Sequence, residues 1–156
     1  RVGRLGYPWL INPHATLSMV GEQLELYRAA VDEGGQSKPE MLPMVRELYV
    51  AQDHKTAFLE SRTYLEDKYH AYTDWGQDKA MPGGLSFNVP YGDLARDRFL
   101  LGSAKDIVDE IQRYSDELGI NFLIFRMQWP GMDQAQVLRQ IEVMGRDVIS
   151  RFKSAP

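Results

Sequence analysis

Arg126 is the side chain best placed to do chemistry. It ends an apolar-leaning run, Ile120-Asn121-Phe122-Leu123-Ile124-Phe125, and opens the segment Met127-Gln128-Trp129-Pro130-Gly131-Met132. A permanently charged planar fork at that point suits an anionic group. The other reading is an ion pair with a nearby carboxylate that orders the loop, and the residues alone favour neither. Gln128 and Trp129 stand beside it. Trp129-Pro130-Gly131 forms either an aromatic wall with a fixed turn or a hydrophobic staple for the next helix. The staple is preferred, because Asp133 can cap that helix directly afterwards. Trp9, beside Pro8, either faces a ligand or fills the core, and core is the better reading.

The remaining candidates read as structure. His14, His54 and His70 have no metal-ligand spacing and lie in or beside polar stretches, which predicts solvated rings. Tyr64, Tyr69, Tyr72 and Trp75 make one helix end aromatic. They could close over a substrate, but their spacing fits ordinary packing. Asp97 and Arg98 are expected to brace a loop by pairing with each other. The acid pairs Asp32-Glu33 and Glu66-Asp67 fall on polar, solvated faces. No nucleophile–base pair, phosphate loop or dinucleotide glycine pattern occurs. No catalytic residue and no metal site can be assigned.

Composition narrows the partners. A net charge of −4 over 156 residues argues against a nucleic-acid backbone, which calls for a basic stripe. The absence of cysteine removes disulfides and thiolate chemistry and fits a cytoplasmic protein. No window is long and apolar enough for a bilayer, and no signal-peptide pattern is present.

Around these residues the elements alternate. Arg1 to Gly6 reads as the last turn of a helix, an unusual opening for a domain. Tyr7-Pro8-Trp9-Leu10-Ile11 reads as a short strand. Thr16 or Ser18 caps a helix with Leu17, Val20, Leu24, Tyr27 and Val31 inward. Met44 to Ala51 is a second strand. Asp53 then caps a long helix with Ala57, Phe58, Leu65, Tyr69 and Tyr72 on one stripe. The stretch 77–101 has little periodicity and reads as a long loop or lid, with Gly83-Gly84 as hinge. Ser103 and Asp106 form a capping box for a helix ending at Gly119. The strand that ends at Arg126 follows. A last helix from Asp133 carries Val137, Ile141, Met144, Val148 and Phe152 inward. Strands that alternate with helices predict an α/β fold with about three parallel strands in a single domain, 1–156.

In this order the chain resembles the C-terminal part of the bacterial luciferase-like flavin-dependent monooxygenases. Four places carry the resemblance: Arg1 to Leu10, where Tyr7 and Pro8 replace the family's usual Asp and Gly; Arg46-Glu47-Leu48-Tyr49-Val50-Ala51-Gln52-Asp53; Asp97-Arg98-Phe99-Leu100-Leu101-Gly102-Ser103; and Gly119 through Met132. The resemblance implies a partial (β/α)8 TIM barrel, the C-terminal section of a fold roughly twice this length with its ligand at the strand C-termini. It implies FMN or a deazaflavin as cofactor and a small-molecule substrate. Arg126, Gln128, Trp129 and Trp9 would lie at the flavin or substrate mouth. The family's first five strands, which supply much of the flavin pocket, have no counterpart, so this chain alone is also compatible with binding no cofactor.

Two expectations of different class follow. One is a section of a flavin-dependent monooxygenase or oxidoreductase. The other is a non-catalytic truncated barrel fragment that folds by self-association. Three barrel strands leave two open edges and an apolar inner face, which predicts a homo-oligomer or cover from the long loop.

Overall fold

A computed structural model describes residues 1–81 and 85–152; the proposed Gly83-Gly84 hinge lies outside them. After a short turn at Gly3–Leu5, the elements are α1 (Leu17–Glu33), β1 (Pro43–Val50), α2 (His54–Asp74), α3 (Tyr91–Ala95), β2 (Leu100–Gly102), α4 (Ala104–Leu118), β3 (Phe122–Arg126) and α5 (Gln134–Val143). The strands form one parallel sheet in the order β2-β1-β3. This is the expected α/β architecture of three parallel strands with flanking helices. β1 is central and buried along almost its whole length, as a strand covered on both faces must be.

The helix boundaries follow from local chemistry. Thr16 accepts the Met19 N–H at the start of α1, and Asp53 accepts the Thr56 N–H at 2.7 Å to start α2. Ser103 and Asp106 close a reciprocal capping box on α4, and Asp133 caps α5. Gly119 ends α4 at φ 69°, a left-handed conformation that costs glycine little. The α1 stripe is buried as its spacing requires.

Other expectations need correction. The predicted first strand, Tyr7 to Ile11, reduces to one bridge between Ile11 and Met44. β1 begins at Pro43, so the residues before Ile11 have nothing to pair with, and Tyr7 and Leu10 stay exposed. The third strand is instead Leu100–Gly102, paired Leu48↔Leu100 and Val50↔Gly102. It comes from the stretch read as a long loop, which also contains α3 and a turn at Asp78–Ala80. On α5, Gln140 is buried where Ile141 was expected, and Ile141 and Phe152 are exposed. The Gln140 amide donates to the Val50 carbonyl at 2.7 Å and accepts the Val50 N–H at 2.8 Å, so a polar residue satisfies the end of β1. Beyond it Met144–Val148 is a wider π-helical turn, which shifts the phase of the face.

Successive β1 side chains point to opposite faces. Glu47 and Tyr49 meet α2 and the segment after β3, through Lys68, Glu60 and Trp129. Arg46 points the other way, donating to the Ala15 carbonyl at 2.9 Å and lying over the Tyr114 ring of α4.

Candidate functional site

The C-terminal half of β1 and the end of β3 lie side by side, with Glu47 paired in register with Arg126. Glu47 is fully buried and organises the site. Its Oε2 accepts the Trp129 indole N–H at 3.0 Å. Its Oε1 takes Lys68 of α2 and lies 3.5 Å from Nη1 of Arg126. The same Nη1 donates to the Tyr72 hydroxyl at 3.2 Å. A buried carboxylate needs this many donors, because nothing else offsets its lost hydration. Arg126 is therefore the orienting ion pair that was one of its two readings. Its side chain is still 41 % exposed, so the guanidinium also reaches solvent.

Trp129 is buried and roughly parallel to the rings of Tyr49 and Tyr64, at 6.3 and 6.4 Å. It wedges between β1 and α2. It does not staple α5, because the residue before the Asp133 cap is Met132 and the indole is committed to Glu47. Gln128 is exposed beside it and donates to the Trp129 carbonyl. Trp9 is half-buried against Tyr27 of α1, in a shallow pocket with Val2 and Gly3. The structure thus brings together Arg126, Gln128 and Trp129, and places Trp9 in a separate cluster on α1.

Several cations gather here. Arg98 is buried and donates to the carbonyls of His14 and Leu94. It does not pair with Asp97, contrary to expectation. Asp97 adopts φ 57°, accepts the Ser18 N–H at 3.2 Å and binds Arg113 of α4 at 2.9 Å, which ties α4 to the start of α1. His14 is not a solvated histidine either. Its ring meets Tyr69, Tyr72 and Phe87, and its Nδ1 is buried without a partner among the described residues. Burial first, and then the charges of Lys68, Arg126, Arg98 and Arg46, hold its pKa down at about 4. His54 and His70 are exposed, as expected.

Glu47 and Lys68 were missed from sequence. The available signal was two adjacent charges, Arg46-Glu47, inside an otherwise apolar strand, since charges are rarely buried without a partner. A concavity of about 750 Å³ lies elsewhere, between α2, α3, β2 and α4. Its charged groups are already engaged: Asp106 in the α4 cap, and Arg113 with Asp97 and Glu110. Among the described residues no cluster of three metal-ligating side chains occurs, and no helix is long and apolar enough to cross a membrane.

No protein-family model and no characterised protein matches the sequence. Solved structures do match the fold. The monooxygenase RslO1 from Streptomyces bottropensis superposes with a TM-score of 0.73 at 17 % identity, over 97 % of this chain and 44 % of its own. The oxygenating constituent of 3,6-diketocamphane monooxygenase from Pseudomonas putida, solved with FMN, gives 0.69 at 15 % identity, over 99 % of this chain and 45 % of its own. The coenzyme F420-dependent tetrahydromethanopterin reductase from Methanopyrus kandleri gives 0.62 at 16 % identity, covering 97 % and 47 %. The chain spans less than half the length of these three proteins. It has the luciferase-like barrel fold over part of the barrel, three parallel strands with their flanking helices.

Proposed function

We propose that the chain is the C-terminal section of a luciferase-like flavin-dependent monooxygenase or oxidoreductase. In this reading the ends of β1 and β3 form one wall of its ligand mouth. One observation carries it: Arg126, the last residue of β3, is paired in register with Glu47 in the C-terminal half of the parallel strand β1, and barrel enzymes place their chemistry at the C-terminal side of their strands. FMN or a deazaflavin, when bound, would supply the redox chemistry. The residues present fit part of such a site. Arg126 and Gln128 reach solvent and could meet a ligand, while Glu47, Lys68 and Trp129 hold Arg126 in place. Trp9 is proposed to stabilise α1 rather than to touch ligand. The substrate is a small molecule and the setting cytoplasmic.

The test is a fluorescence titration of the chain with oxidised and reduced FMN and with a deazaflavin. Saturable binding weakened by Arg126→Gln is the expected result. No binding at high micromolar flavin sinks the reading for this chain.

A second reading, a non-catalytic barrel fragment that self-associates, is supported by β3. Its outer edge is unpaired among the described residues, and Phe122 and Ile124 on one of its faces are 45 % and 40 % exposed. Sedimentation checks this, and a clean monomer counts against it.

A further inference from the structure

The cluster around Glu47 holds more positive charge than its own carboxylate can offset. Lys68 and Arg126 share the one carboxylate of Glu47; outside that cluster, Arg46 on the opposite face of β1 and Arg98 just before β2 are also buried, with only backbone carbonyls as hydrogen-bond partners among the described residues. Nε and Nη2 of Arg46 have no partner there at all. The His14 ring stands against Tyr72, the residue that binds Arg126, and the His14 carbonyl accepts from Arg98. Buried cations without counter-charge are costly, and a bound anion is the usual remedy. One group can receive it. Arg126 is anchored through Nη1 only. Its Nε–H and its two Nη2 donors have no partner among the described residues, and the side chain is partly open to solvent. Two adjacent guanidinium nitrogens match the two oxygens of a carboxylate or phosphate.

We propose that the outward edge of Arg126, held by Glu47 and Tyr72, is a docking point for an oxyanion, a carboxylate or phosphate group on the small molecule this mouth accepts. The proposal rests on the strand ends being a ligand mouth, but not on flavin. Glu47, Lys68 and Tyr72 act as positioning residues. Glu47 and Tyr72 take up Nη1 and leave Nε and Nη2 without a partner among the described residues, while Lys68 holds Glu47.

The test uses the whole chain with inorganic phosphate, benzoate and, as a neutral control, benzyl alcohol, at constant ionic strength. Tryptophan fluorescence and the thermal midpoint are read together. Saturable binding of either anion, with none of benzyl alcohol, is expected. Phosphate alone would point to a phosphate-bearing ligand, and benzoate alone to a carboxylate. Arg126→Gln should weaken binding by about tenfold or more, and Arg126→Lys, which keeps the charge but loses the fork, by an intermediate factor. If the Gln variant does not fold, the Lys variant carries the test. Unchanged anion affinity in either folded variant, or no saturation by either anion, overturns the proposal. Because no flavin is present, failed flavin binding and failed anion binding are separate results.

Discussion

At the scale of single residues, Glu47 is the most consequential side chain. Its carboxylate accepts from Trp129 and Lys68 and faces Arg126, so its loss would leave two cations and an indole N–H without their acceptor. Glu47→Gln is expected to cost about 3 kcal/mol, read as a lower denaturant midpoint at constant slope. A change within error would mean that solvent already compensates the cluster. His14 gives a pH signature. Its pKa falls from 6.5 unfolded to about 4 folded, so between those values the unfolded chain binds more protons. Its contribution is full above pH 6.5 and declines as pH falls towards 4. Allowing for its partial exposure, the loss is on the order of 2 kcal/mol. His14→Phe should flatten that part of the stability–pH curve. The capping carboxylates Asp53 and Asp106 have pKa values lowered from 3.8, so their effect falls in a more acidic range.

At the scale of elements, legibility followed the length of the pattern. The α1 stripe, the caps at Asp53, Ser103 and Asp133, and the two longer strands were readable, because many residues or a specific cap geometry repeat one signal. β2 was not. Three residues cannot display alternation, and Leu100–Gly102 is a strand only because β1 extends far enough to pair with it. Tyr7 to Leu10 failed for the converse reason: the right composition lay beyond the end of its partner. On α5, hydrophobicity pointed to Ile141, but the unpaired backbone at Val50 selected Gln140. Gln140→Leu should therefore destabilise by about 1–3 kcal/mol despite being more apolar, while Ile141→Gln should be nearly neutral in the same thermal melts. The charged cluster was half legible. Arg126 stood out at its strand exit, but its partners lie 79 and 54 residues away in number, at Glu47 and Tyr72 (126 − 47 and 126 − 72), and no local pattern links them.

At the scale of the whole molecule, the three-stranded sheet has an exposed flank. Phe122 and Ile124 stand on the same face of β3, and no strand continues the sheet beyond them among the described residues. Ile124→Lys is expected to lower self-association in sedimentation velocity with little loss in melting temperature, because the residue is already partly solvated. A variant that sediments like the parent would assign association to another surface. The alternation of strands and helices was enough to read a parallel sheet; which strand would be central was not, since that depends on pairings across half the chain.

That central place has a kinetic consequence. Both neighbours of β1 come later in the sequence, with Leu48 waiting for Leu100 and Pro43 for Phe122. Closing such wide loops costs entropy before any contact rewards it, so the sheet should form slowly for a chain of this size. During synthesis the ribosome would deliver β1 well before either partner. For that interval its apolar side chains would lack both of their sheet neighbours, which makes the interval before β3 appears the one in which aggregation or chaperone capture is most expected.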